Sequence, residues 1–418
     1  MTFIDLFAGC GGLSLGLLNA GWEGLFAIEK SPDAFDTFRH NLVDSPLEGF
    51  SWPAWLEIAP ITTGELLATH ANDLARMRGD VDLLAGGPPC QGYSFAGRRN
   101  HNDPRNKLYL EYLQVVNLVR PRFLLFENVR GFSTGFTVET EDGTWIKTTP
   151  HAELVAQELD ELGYQVFAEA LISSEVGIPQ PRKRFVLLAV RHGDLVLGNI
   201  GVNNFFDLFR QTLPAFREDK GLSGREDTTT RMALSDLETR GRKLIDCLDS
   251  SVTGFIQVEY TEPSEPSPYQ ALMRIGMNEG APPNSMRLAK HRPRTVEKFQ
   301  YIMDNCPRGR TLSDENRARL NMKKHALTPL AADTLAATMT TLPDDFLHYS
   351  EPRILTVREM ARLQSFPDWF AFQGHYTTGG KERRLKCPRY TQVGNAVPPL
   401  LAEAIGKALI DLTQEYHV

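Results

Sequence analysis

The sequence predicts an α/β fold with a second, smaller and irregular domain, and three observations carry that expectation. Apolar runs of strand length alternate with helix-length stretches through about the first 190 residues. The first run empties into a glycine turn that opens directly into a helix. From about residue 191 to 350 this rhythm stops. At 418 residues the chain has length for two lobes with their own cores.

Taken in order, Thr2 to Ala8 reads as a buried strand that runs through Gly9-Cys10-Gly11-Gly12 into a helix over 13–18. Strand, glycine turn and helix bring backbone close to a nucleotide-like ligand at a helix N-terminus. The next strand, 25–28, ends in Glu29, an acid placed to accept from both hydroxyls of a ribose. Several adenosine-containing ligands use such an acid. The loop is GxGG rather than GxGxxG, which favours a ligand that brings no phosphate. Ser31-Pro32 has the form of an N-cap followed by proline at the first helical position. Residues 43–60 are irregular, and 63–77 predict a helix.

The apolar run 81–87 leads into Gly86-Gly87-Pro88-Pro89-Cys90. A cysteine so placed stands in the crevice beyond a strand's carboxyl end, where open α/β sheets bind ligands. Pro88 and Pro89 restrict the backbone before it, so the thiol is held. The polar, basic stretch 97–106 is expected to be a lid carrying phosphate contacts, the alternative being a surface loop. A helix over 107–119 precedes the strand 123–126, which ends in Glu127-Asn128-Val129. Strand-end glutamates are mostly helix caps or paired core acids, but one beside a strand-end cysteine can complete an active site. Residues 136–147, centred on Asp142-Gly143, suggest a hairpin. A helix over 151–162 and a strand over 164–171 follow. Next comes Gln180-Pro181-Arg182-Lys183-Arg184, feeding a strand over 185–190. Arg182 and Arg184 alternate at strand spacing and can share a face, suiting an anion or a base carbonyl, or else a salt-bridged edge. Order returns at Thr356-Val357-Arg358-Glu359, a capping box opening a helix through Ser365 that Pro367 ends. An amphipathic helix reaching about Leu412 closes the chain.

Composition is ordinary for a globular protein, with 42% apolar and 23% charged residues. Net charge is −7, yet 287–324 holds 11 Lys and Arg against 4 Asp and Glu, a patch suited to phosphates. The five cysteines lack CxxC spacing and read as reduced thiols with no metal site. The N-terminus lacks a secretory pattern, and no apolar run has the length of a membrane span.

The ordered set of blocks resembles the DNA (cytosine-5) methyltransferase family: DLFAGCGG at 5–12, GGPPCQGYS at 86–94, ENV at 127–129, QPRKR at 180–184, RILTVREMARLQSFPD at 353–368 and QVGNAVPP at 392–399. The resemblance implies a Rossmann-like S-adenosylmethionine-dependent sheet with a target-recognition domain. The catalytic domain is expected over 1–190 plus 391–418, and the recognition domain over 191–390, including the 353–368 helix motif. It implies Cys90 as nucleophile, Glu127 and Arg184 on the base, and Arg182 organising Glu127 or a phosphate. It implies a donor pocket of Phe7, Gly9, Gly11, Gly12, Glu29, Ile61, Gly87, Pro89, Leu108, Asn395 and Ala396. Expected DNA contacts are Gln91, Ser94, Arg98, Arg99, Arg105 and Gln180. Pro60 stands where the family has an acid for the adenine amino group, so that contact is given to no side chain.

The implied cofactor is S-adenosyl-L-methionine, leaving as S-adenosyl-L-homocysteine, and the implied partner is double-stranded DNA. The chemistry accounts for the residue types. Carbon 5 of cytosine is a weak nucleophile until a thiolate adds to its neighbour, and a thiolate also leaves readily. The thiol cannot reach a stacked base, so the base must flip. A free-standing, monomeric, cytoplasmic bacterial enzyme of the nucleoid is expected, within a restriction–modification or phage-defence system. A nicotinamide or flavin oxidoreductase would leave the Cys, Glu and Arg blocks unexplained. An RNA cytosine methyltransferase would bring a Cys-Phe-Thr tripeptide that this chain lacks.

Overall fold

The apolar runs become strands β1 (Thr2–Leu6), β2 (Glu23–Ile28), β3 (Leu83–Gly86) and β4 (Phe123–Asn128). Helices α1 (Gly12–Asn19), α2 (Pro32–Phe38), α3 (Thr63–Arg76) and α4 (Leu108–Val119) lie between them in the chain. The structure, a computed structural model, describes residues 1–45, 49–89, 107–139, 144–194, 204–223, 227–322, 324, 326–377 and 386–414. They fall into two units: residues 1–172, 183–213 and 402–418, and residues 173–182 and 214–401.

In the first unit, the chain continues through the antiparallel pair β5 (Thr137–Glu139) and β6 (Trp145–Lys147), then α5 (His151–Glu161), β7 (Tyr164–Ile172) and β8 (Lys183–Arg191). The pair matches the expected hairpin, whose Asp142-Gly143 turn lies outside the described residues. The six-stranded sheet has the order β2-β1-β3-β4-β8-β7. Its first four strands are parallel, β8 runs antiparallel to β4, and β7 runs antiparallel to β8. Consecutive residues of β3 and most of β4 are buried, so both faces are covered, which is why these strands read as unbroken apolar runs. The edge strand β7 instead mixes exposed and buried positions.

Helix α6 (Phe205–Asp219) follows. The C-terminal helix α13 (Pro399–Gln414) belongs to the first unit from Ala402 onward. There Trp22 Nε1 donates to Gly406 O at 3.0 Å, and a Cβ on Gly406 would meet Ala20 Cβ at 2.9 Å, so glycine allows the approach. Ser31 precedes α2 as expected but does not cap it: its hydroxyl is buried without a hydrogen-bond partner, and its backbone N–H serves Glu29 instead.

The second unit is built of short pieces: α7 (Thr230–Leu234), the hairpin β9 (Leu244–Asp246) and β10 (Ile256–Val258), α8 (Pro268–Arg274), α9 (Pro293–Asn305), α10 (Asp314–Arg319), the parallel pair β11 (Thr328–Pro329) and β12 (Phe346–Leu347), α11 (Val357–Leu363) and α12 (Arg389–Asn395). The capping box is present: Glu359 N donates to Thr356 Oγ1 at 3.1 Å, and Thr356 N to Glu359 Oε2 at 2.7 Å. α11 stops at Leu363, short of Pro367, because Ser365 takes a left-handed φ of 63°. No helix among the described residues is long and apolar enough to cross a membrane, and none of their His, Cys, Asp and Glu clusters could hold a metal ion.

Candidate active site

Parallel strands put their carboxyl ends at one sheet edge, and that edge of the first unit gathers the chemistry-bearing residues. β1 empties into a loop in which Phe7, Gly9 and Gly11 all have positive φ, 63°, 59° and 95°. A Cβ on Gly11 would lie 2.7 Å from Leu42 Cδ1, so that glycine is demanded twice, by conformation and by space. Around Gly9 a Cβ would meet nothing within 4 Å, leaving the loop's other side open. Gly12 starts α1.

Glu29 closes this loop against β2. Its Oε2 accepts from Gly9 N at 3.0 Å and its Oε1 from Ser31 N at 2.7 Å. Burial raises its pKa, opposed by those two amide bonds. Each oxygen keeps a lone pair, so the carboxylate can still accept from a diol. Ile61 N donates to the Glu29 backbone carbonyl at 3.0 Å, bringing the 59–62 segment beside it. Pro60 is exposed there. An open glycine backbone and a largely buried carboxylate suit an adenosine ribose.

Two strands away, Glu127 of β4 and Arg184 of β8 meet because β8 runs antiparallel, which places its first residues beside the end of β4. Arg184 Nε lies 2.5 Å from Glu127 Oε1, an ion pair whose N–H is not aligned for a hydrogen bond. The two side chains are 8% and 13% exposed. Burial raises the Glu127 pKa, and the Arg184 charge only partly offsets it, so the carboxyl is poised to carry a proton. Gly87 lies against it, since a Cβ there would be 3.1 Å from Glu127 Oε2. Asn128 Nδ2 donates to Pro88 O at 3.1 Å and clamps the turn that leads to residue 90. Pro89 follows that clamp, and Leu108 opens α4.

Cys90, Gln91, Ser94, Arg98, Arg99 and Arg105, with the expected 97–106 lid, lie outside the described residues. Gln180, Arg182, Asn395 and Ala396 fall in the second unit. Gln180, expected at DNA, is instead fully buried. Its Nε2 donates to Leu363 O at 2.5 Å and to Gln364 Oε1 at 2.6 Å, and its Oε1 accepts from Met339 N at 3.1 Å. Arg182 is likewise committed to backbone, donating to Met339 O and Gly394 O, both at 2.7 Å. Gln364 Nε2 donates to Val393 O at 2.8 Å. Together they brace the turn that ends in Asn395, which is exposed, and Ala396.

Sequence reasoning passed over two residues. Asn128 was visible only as part of a block. Asp5 is fully buried and accepts from Ser14 Oγ at 2.6 Å, tying β1 to α1 beneath the glycine loop. Burial first, and the nearby Glu29 charge, push its pKa up to about 7 against the Ser14 bond. An acid inside an apolar strand was the available signal.

This edge, an open glycine loop closed by a buried carboxylate and standing beside an acid held by an arginine, has the form of a ligand site of an α/β enzyme, and comparison makes the class specific. The profile of the C-5 cytosine-specific DNA methylases matches residues 1–411. The chain belongs to that family: it is an S-adenosylmethionine-dependent DNA (cytosine-5-)-methyltransferase. It is 30% identical to Type II methyltransferase M.DdeI of Desulfomicrobium norvegicum, over 98% of this chain and 88% of that protein. It is 28% identical to Type II methyltransferase M1.HphI of Haemophilus parahaemolyticus, over 99% and 87%. In fold it is similar to a solved DNA modification methyltransferase encoded within an Escherichia coli prophage, with a TM-score of 0.63, 22% identity and 99% of each chain covered.

Proposed function

We propose that the enzyme methylates carbon 5 of a flipped cytosine in a specific double-stranded site through a covalent Cys90 adduct, as the modification partner of a restriction–modification system. The carrying observation is the Glu127–Arg184 pair set against Gly87, with Asn128 holding Pro88 two residues before Cys90. Bound S-adenosylmethionine supplies the methyl group from its sulfonium. Glu29 and the open loop at Gly9 hold the adenosine end. The Cys90 thiolate adds to ring carbon 6 while Glu127 delivers its proton to ring nitrogen 3, which leaves carbon 5 as an enamine nucleophile. Arg184 orients Glu127 and donates to the base carbonyl. After transfer a water takes the carbon-5 proton, the ring electrons expel Cys90 as thiolate, and ring nitrogen 3 returns its proton to Glu127.

Arg182 acts here as a positioning residue for the 393–396 turn, and residues 214–401 serve as the recognition domain. The DNA-modification reading of the setting rests on the Type II relatives, and a monomer in the bacterial cytoplasm suits it. Tritiated methyl from S-adenosylmethionine should enter duplex DNA with the wild type and not with Cys90→Ala. Equal labelling by the variant would overturn the adduct, and labelling of RNA in preference to DNA would overturn the substrate. Bisulfite sequencing of expressing cells would give the site.

A further inference from the structure

Hairpin β9–β10 of the second unit ends in a turn, residues 248–254, that carries apolar side chains where a soluble fold gains nothing from them. Leu248 is 66% and Val252 57% exposed. The turn is nevertheless built rather than loose. Cys247 N donates to Phe255 O at 2.9 Å, adding a rung to the ladder, and Leu248 N donates to the side chain of the buried Gln257 at 3.0 Å. Inside the turn, Asp249 accepts from Tyr376 Oη at 2.5 Å, Asn284 Nδ2 at 2.8 Å and Ser285 N at 3.0 Å, and pairs with Arg389. A carboxylate with that many donors holds the tip in one place.

Beside the tip stand two cations with no ion-pair partner among the described residues. The Arg287 guanidinium lies 4.0 Å from the Phe255 ring centroid and 3.9 Å from that of Tyr376, sandwiched between them. Lys290 is exposed, with its Nζ 4.8 Å from the Phe255 centroid, and a Cβ on Gly254 would lie 3.2 Å from it. Of the exposed acids on the hairpin, Glu259 is paired with Lys243 at 2.8 Å, which leaves Asp246 on β9. Arg287 and Lys290 also begin the basic stretch noted in the sequence. Rigid apolar side chains flanked by unpaired cations match a duplex, whose phosphates take the cations while base edges, thymine methyls or an opened base step take the apolar tip.

We propose that the 248–254 turn is a sequence-reading tip, with Leu248 and Val252 contacting bases and Lys290 and Arg287 the adjoining backbone. This rests on the DNA-methylating reading above and goes beyond it in naming the reader. It is tested with the full chain, using Leu248→Ser/Val252→Ser and, separately, Lys290→Ala. All three side chains are exposed, and unchanged melting confirms that the variants fold.

The tip variant should lose roughly five- to a hundredfold in kcat/KM on the wild-type site, the scale of a lost base contact. Its KM for S-adenosylmethionine should not move, and its methylation motif should become degenerate at one position or more by bisulfite sequencing. Lys290→Ala should weaken cognate and unrelated duplexes alike and flatten the slope of log K against log salt by about 0.9. A tip variant with the wild-type motif and wild-type kcat/KM overturns the proposal. So does an effect confined to self-association in gel filtration, which would make the patch a contact with a second copy. If the wild type labels no DNA, the functional reading fails by itself, and duplex binding by fluorescence anisotropy still decides the tip: equal affinity of wild type and tip variant overturns it.

Discussion

The sheet of the first unit and the short-element second unit solve the same problem by different physics. In the first, β1, β3 and β4 bury nearly continuous apolar side chains, with Asp5 of β1 the exception, and Glu29, Glu127 and Arg184 stand where strands end or begin. In the second, Arg358 and Arg362 are among the largest fully buried side chains of the protein. Arg362 pairs with Asp236 and Asp368, and Arg353 reaches Glu359 at 2.7 Å and Glu351 at 2.6 Å. Arg358 donates to three backbone carbonyls, those of Asn284, Pro367 and Phe370. Where elements are too short to share a wide apolar face, directional contacts to buried guanidiniums fix how they pack. Such a lattice is specific, yet intolerant of losing one member, because the remaining charges stay buried.

Four experiments break or sharpen that contrast. The largest effect belongs to the sheet edge. Glu127→Gln keeps the shape and removes the transferable proton, so kcat should fall by roughly 10²–10⁴, with some loss in melting temperature because the buried Arg184 loses its charge partner. A variant within threefold of wild type would remove Glu127 from proton transfer. Next, Arg362→Ala should cost the second unit about 3–5 kcal/mol in urea unfolding, by stranding Asp236 and Asp368. Adding Asp236→Ala should cost much less than it does alone, and strict additivity would show that the cluster is not one unit.

Third, the two units should respond to pH in opposite senses. Asp5 has a folded pKa of about 7, above its unfolded value near ~3.9, so the fold binds more protons there. Its contribution is complete below pH ~4 and is lost as pH rises to about 7. Glu359 is held down to about 2: burial works to raise it, but the Arg353 charge and hydrogen bonds, with His348, prevail. Its contribution stands above pH ~4.3 and is lost as pH falls towards 2. Asp5→Asn should therefore flatten the decline between pH 4 and 7 and leave the acid limb intact. A slope unchanged in that window would acquit Asp5.

The smallest effect is where the contrast should vanish. Thr62 caps α3 and Ser267 caps α8, each through a capping box. Thr62→Ala and Ser267→Ala should each cost about 1 kcal/mol, since a cap acts only on its own turn. A cost several times larger in the second unit would mean that its caps are part of the lattice.

Much of the sheet edge was legible because its signals are local. Glycine positions with φ above zero, an acid closing a strand, and prolines bracketing a turn are read within a few residues. The expected organiser of Glu127 is Arg182, but the register of β8 on β4 puts Arg184 beside it instead. Gln180, expected at DNA, and Arg182, expected to organise Glu127 or a phosphate, are instead committed by burial to carbonyls at 339, 363 and 394. Ser31 has the form of a cap, but its hydroxyl makes no cap hydrogen bond, while its backbone N–H donates to Glu29.

By itself the sequence determined the strand–turn–helix order, the residue types at each strand end and hence the family chemistry, because period, proline and glycine act over short distances. Tertiary structure alone decided which arginines stay free to act and which brace carbonyls. It also decided that Asp5 lies beneath the glycine loop, and that Leu248 and Val252 stand exposed on an anchored turn. The arginine and tip outcomes depend on partners that lie from 35 to 212 residues away in the chain, and no local pattern records a partner at that distance.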